Sequence, residues 1–110
     1  MKVSVIHSAF GDTPHVVAFV DVPEGTKDMD ALEYAYRWTN NVMGSWSIKK
    51  EVFEDGESNG DFNPNVTVMA PLHVDDSGKE WGLRSTSVGD QMLLGTKKYE
   101  VASFGFEEIA

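Results

Sequence analysis

Cysteine is absent from the 110-residue chain. Its absence excludes disulfides, thiolate nucleophiles and thiolate metal ligands together, and it suits a reducing cytoplasm. No apolar run approaches the roughly 18 residues that a membrane-spanning helix needs. The opening Met1-Lys2-Val3-Ser4-Val5-Ile6-His7 has only a short apolar run and no small-residue cleavage site, so it does not read as a secretory leader. Basic residues are scarce. Nine Lys and Arg stand against 18 Asp and Glu, a formal net charge of −9. A polyanion or an anionic membrane repels such a chain overall. Lys49-Lys50 and Lys97-Lys98 are too isolated to make a basic, aromatic-interleaved footprint. The partner these features imply is a protein with a basic surface, with no direct nucleic acid, no membrane and no cofactor.

What is present is enough for one domain. Apolar residues make up 41% of the chain, which supports a single packed core at this length. Residues 2–9 and 15–22 read as strands, because Val3, Val5, Ile6 and the run Val16 to Val22 are mostly β-branched or aromatic. Gly11-Asp12-Thr13-Pro14 between them predicts an antiparallel hairpin. The second run is apolar on both faces and is expected inside a sheet. A helix is expected from Ala31 to Val42, with Asp30 as N-cap, Glu33 completing a capping box and Gly44 as terminator. Its apolar stripe is Leu32, Ala35, Thr39 and Val42, widened by Ala31, Tyr34 and Trp38. Residues 45–53 form a candidate short strand, 54–65 a loop and 66–70 another strand, with a turn at Asp75-Asp76-Ser77-Gly78. Met92 to Leu94 and Lys98 to Phe104 are the last two expected strands, joined by Gly95-Thr96-Lys97. The fold class that follows is α+β: an antiparallel sheet of four to six strands with one helix on one face. Within one domain, the pieces are a hairpin and helix (1–47), an acidic loop (51–65) and a C-terminal β unit (82–109).

Two stretches invite a chemical reading. From Glu51 to Gly78 there are seven acids and no Lys or Arg. Asp55, Glu57 and Asn59 occupy the first, third and fifth positions of a calcium-type loop, with Gly60 at the sixth and Asp61 next. The twelfth position is Val66, where a bidentate Glu is required, so a polar, solvated connection is the expectation. The second stretch is Ser85-Thr86-Ser87 near Asp90, which lacks an adjacent His or a nucleophile elbow. His7, His15 and His73 have no metal-ligand spacing, although His7 and His15 could face each other across the hairpin. No catalytic group is assigned.

Arg84-Ser-Thr-Ser-Val-Gly-Asp90 followed by Tyr99-Glu-Val-Ala-Ser-Phe-Gly-Phe106-Glu-Glu-Ile109 resembles the YodL-like module of phage, plasmid and integrative-element proteins. The likeness covers residues 82–109, and the helix with Tyr34, Tyr36 and Trp38 lies outside it. It implies a mobile genetic element, most simply a phage, and hence the cytoplasm of a bacterial host. It supplies no reaction. From the residues alone, Arg84 is expected to pair with Asp90 across a turn, Val88 and Met92 to enter the core, and Phe104 and Phe106 to share a strand face.

The expectation is therefore a non-catalytic accessory protein that binds a host or phage protein. An anti-CRISPR or anti-restriction inhibitor is its concrete form. Asp55, Glu57, Asp61, Asp75, Asp76 and Arg84 are the candidate contact residues. The alternatives are a small cation-binding module or enzyme built on Asp55, Glu57, Asn59 and Asp61, and a structural phage protein.

Overall fold

A computed structural model describes residues 1–109. Strands β1 (Lys2–His7) and β2 (His15–Asp21) form the expected hairpin, and helix α1 (Asp28–Trp38) follows. After a long irregular stretch come β3 (Val66–Val68), β4 (His73–Val74), β5 (Glu80–Trp81), β6 (Gln91–Leu94), β7 (Lys97–Val101) and β8 (Phe106–Ile109). Six strands make one antiparallel sheet in the order β3-β2-β1-β6-β7-β8, and β4-β5 is a separate two-stranded hairpin. The fold is α+β. No helix among the described residues is long and apolar enough to cross a membrane.

One sheet face holds the core. Val3 and Val5 on β1 point inward beside Val20 and Ala18 on β2, and Met92, Leu94, Tyr99 and Val101 continue the layer. Val5 pairs with Ala18 but Ile6 pairs with Val16, so Val17 is an extra residue in β2. That bulge lets Val17 and Ala18 both be buried where strict alternation would expose one. β2 is an interior strand, as its composition predicted, with β3 on its outer side.

The helix starts earlier and ends earlier than its sequence signals suggest. Its N-cap is Lys27, which makes no side-chain cap, and Asp28 and Asp30 lie in the first turn beside the positive end of the helix dipole. Asp28 also faces the Lys97 ammonium at 3.6 Å. At the other end the Thr39 hydroxyl donates to the Ala35 carbonyl and the Asn40 amide to the Tyr36 carbonyl. These side chains compete for the carbonyls of the last turn and stop the helix. Ala31, Leu32 and Ala35 are buried as the stripe predicted, whereas Val42 falls beyond the helix and is 62% exposed. Gly44 terminates nothing. It is required because a Cβ there would collide with the Asn59 side-chain oxygen.

Three further expectations change. Residues 45–53 are not a strand, and only a single bridge, Val52 to Ser58, forms there. Trp46 is nonetheless fully buried, its indole N–H donating to the Arg84 carbonyl at 2.9 Å. Val88 is 51% exposed rather than in the core. It occupies the second position of a turn closed by the Asp90 N–H and the Ser87 carbonyl, with Gly89 at φ 94° in the third, as a type II turn requires. Phe104 does not share a strand with Phe106. Gly105, at φ 74°, closes a turn between β7 and β8, and Phe104 on that turn is 97% exposed. Phe106 packs edge-on against Tyr36, with ring centroids 6.2 Å apart.

Two substitutions test this placement of the helix. Leu32→Ala removes a fully buried side chain and is expected to cost about 2–5 kcal/mol. Val42→Ala, outside the core, is expected to change stability by less than about 0.5 kcal/mol. Denaturant melts showing equal costs at both sites would contradict the observed helix end.

Candidate functional site

The Arg84–Asp90 box folds into a clasp. Asp90 is fully buried, and its carboxylate accepts from the backbone N–H groups of Ser8, Ala9 and Ser87. The Arg84 guanidinium adds a two-pronged pair, at 2.7 and 2.9 Å. Arg84 also donates to Asp12 and to the Ser85 carbonyl and lies 5.0 Å from the Phe10 ring. Burial alone would push the Asp90 carboxyl up. Arg84 and the three N–H donors more than offset it and hold the group well below the usual carboxylate range. The sequence-level pairing of Arg84 with Asp90 is therefore present, and Arg84 spends its donors inside the protein.

Beside the clasp, a hydrogen-bond chain links helix, box and sheet. The Thr39 hydroxyl donates to Ala35, so its oxygen accepts from Thr86 at 2.8 Å. With its own proton committed, Thr86 must accept from His7, whose Nε2 lies 3.0 Å away. His7 thus carries a proton on Nε2, and its burial favours the neutral form. Burial pushes it down from 6.5 to about 4 despite the attraction of Asp90. His7 does face His15 across the hairpin, with centroids 6.4 Å apart, and Trp46 packs edge-on at 6.3 Å. Asn41 ties its own N–H to the Ser85 hydroxyl and its side-chain amide to the Leu83 carbonyl. The hydroxyls of Ser85 and Thr86 are accordingly engaged in structural bonds.

The acidic stretch divides into buried and exposed halves. Asp61, expected on a solvated loop, is fully buried. Its carboxylate accepts from the Val42 and Met43 N–H groups and from Arg37 at 3.2 Å. Asn59 is buried as well. The two hydrogens of its amide are shared among the Ser45, Ile48 and Lys50 carbonyls while its oxygen accepts from the Ser45 and Asp61 N–H groups. Both side chains hold the irregular segment 40–61 together, so that of Asp55, Glu57, Asn59 and Asp61 only Asp55 and Glu57 face solvent. Among the described residues no group of three or more His, Asp or Glu is arranged to hold a metal ion.

Glu54, Asp55 and Glu57 remain at the surface, on a tight hairpin tip. The Gly56 N–H bonds the Phe53 carbonyl, the Phe53 N–H bonds the Glu57 carbonyl, and Gly56 sits at φ 88°. The same construction recurs at 75–79, with Gly78 at φ 84°. Both tips are type I turns closed by a left-handed glycine. Asp75 is consumed by its own turn. The Ser77 hydroxyl and Trp81 indole, then the Lys79 N–H, lower its carboxyl to about 2. Asp76 next to it is exposed. Of the chain's 18 acids only Asp61 and Asp90 are buried. Sequence reasoning missed Asn59, Thr39 and Thr86 as organising residues, because their bonds reach across the chain and leave no local spacing.

The pH dependence follows from His7. The unfolded chain takes a proton near pH 6.5 that the folded chain refuses until about pH 4. Stability is then complete above that window and falls by on the order of 3 kcal/mol as pH drops through it. Below pH 4, loss of the Asp90 carboxylate steepens the decline. In His7→Gln, unfolding midpoints between about pH 7 and pH 4.5 should become flat, and an undiminished acid loss would exclude His7 as its source. Compared with protein-family models, curated proteins and solved structures, the chain matches none.

Proposed function

We propose that the chain is a non-catalytic binding protein of a mobile genetic element that docks an acidic surface on a basic host protein. A nucleic-acid-handling protein of a defence system, as in anti-CRISPR or anti-restriction inhibition, is the concrete partner class. The observation that carries this reading is the tip at 54–57. It displays Glu54, Asp55 and Glu57 on a rigid turn, and its nearest cation is Lys50, at 3.9 Å from Glu54. Glu51, at the base of the same tip, and Asp76, on the separate turn at 75–79, are exposed as well. Fixed charge of one sign steers an oppositely charged partner and accelerates association. Supporting it further, no buried side-chain polar atom among the described residues lacks a hydrogen-bond partner. The polar interior is therefore accounted for by folding.

The test separates the exposed acids from the buried one. Glu54→Lys, Asp55→Lys and Glu57→Lys together leave the core untouched, so melting should shift little. Association with a basic partner isolated from host lysate should slow by about tenfold or more, and its salt dependence should flatten. Asp61→Lys is the control. It buries an unpaired cation next to Arg37 and should unfold the protein. Partner binding that survives the triple reversal with the same rate and salt slope would refute the acidic-surface reading.

A further inference from the structure

The two boxes of the C-terminal segment meet in space. The Gly89 N–H bonds the Val101 carbonyl at 2.9 Å, and the Val101 N–H returns to the Asp90 carbonyl at 2.8 Å. Most side chains in both boxes serve the fold. Arg84, Ser85, Thr86 and Asp90 build the clasp, and Phe106 packs against Tyr36. Val88 and Phe104 have no such role, and both point to solvent. Val88 lines a cleft of about 270 Å³ between α1 and the β7–β8 turn. Phe104 is not part of its lining but lies in the chain between the lining residues Ser103 and Gly105, with its ring in solvent. Val101, Ala102, Tyr36 and Phe106 supply its apolar walls, and Ser103 and Gly105 complete a lining that is polar as well as apolar.

Glu33 is the one charged residue lining this cleft. Its helical neighbour Arg37 is held by Asp61 and by the face of Trp38, at 4.1 Å from the ring centroid. Glu33 therefore has no cationic partner among the described residues. A long apolar stem ending in a planar cation complements such a cleft. The stem would bury against Val88, Val101 and Ala102 while the cation meets the aromatic rings and the carboxylate. A guanidinium suits this better than an ammonium, because it stacks on rings and pairs in two-pronged fashion with a carboxylate.

We infer that this cleft seats an arginine side chain of the protein partner, and that the two boxes are joined in order to shape it. The inference rests on the basic-partner reading above and names its anchor point. Buried arginine anchors of this kind commonly dominate binding energy while the surrounding charges set the rate.

The probe is N-acetyl-arginine amide, titrated into the full chain and followed by amide chemical shifts. The expected result is a saturable shift confined to residues 33–36, 88–89 and 101–106, with the lysine and leucine analogues binding more weakly. Glu33→Gln should weaken arginine binding by about threefold or more, and Phe104→Ala should weaken it without changing the melting temperature. Shifts absent from these amides, lysine binding as tight as arginine, or indifference to Glu33→Gln would each overturn the assignment. The 54–57 reversal separates the two ideas. A chain that still binds its basic partner through that tip but ignores arginine loses only the cleft, whereas one that seats arginine and is unaffected by the reversal loses only the acidic-tip reading.

Discussion

Everything at one end of the sheet depends on the buried carboxylate of Asp90. β1 and β7 finish there, and β2, β6 and β8 begin there, so several loops crowd together and the Ser8, Ala9 and Ser87 N–H groups have no strand partner. A buried N–H without a partner costs on the order of 1–3 kcal/mol. Asp90 meets three such groups and a guanidinium at once. An ion pair taken from water rarely repays its desolvation by Coulomb attraction alone. Here Arg84 and three backbone donors together make burial tolerable. The clasp fixes the 8–12 turn against the 84–90 segment, and that fixes the strand β6 that follows.

A second polar knot, built on Asp61 and Asn59, does the same for the long connection between α1 and β3. Few of its residues are apolar enough to pack, yet it is not a loose loop. Asn59 shares its two amide hydrogens among three carbonyls, and Asp61 accepts from two backbone amides and Arg37. Trp46 joins the two knots, because its indole reaches the Arg84 carbonyl while its ring packs beside His7. The functional consequence is rigidity at the surface. The hairpin tip with Glu54, Asp55 and Glu57 and the cleft beside Val88 both stand on backbone that these knots hold, which lowers the ordering cost of binding.

Local signals in the sequence carried the fold class and the strands β1, β2, β3, β6 and β7, whereas the expected strand at 45–53 is absent and β4, β5 and β8 were not foreseen. Runs of β-branched and aromatic residues marked β1 and β2, Gly11-Asp12-Thr13-Pro14 marked the hairpin between them, and Arg84 found Asp90 because it lies only six positions away. What was hidden is long-range polar bonding. Ser8 lies 82 positions from Asp90, and Thr39 lies 47 from Thr86, distances over which no spacing rule operates. Hence Asp61 looked like one more solvated acid, and Val42 looked like the end of a helical stripe when Thr39 had already broken the helix. Phe104 misled for a related reason: two aromatics two positions apart read as one strand face unless the left-handed Gly105 between them is known to turn the chain. The contact residues of the candidate site were legible only as charge. Glu33 and its cleft needed the packing of α1 on the β7–β8 turn.

The claim that Asp90 holds this end of the molecule can be measured directly by native-state hydrogen exchange at the amides of Ser8, Ala9 and Ser87. In the parent chain these amides should exchange only through global unfolding, with the same opening free energy as Val5 and Met92 in the sheet. In Asp90→Asn they should lose most of that protection, well beyond any loss at Val5. Ser8, Ala9 and Ser87 exchanging in the parent chain as fast as the exposed Glu54 tip would contradict the clasp, and so would protection unchanged by the substitution.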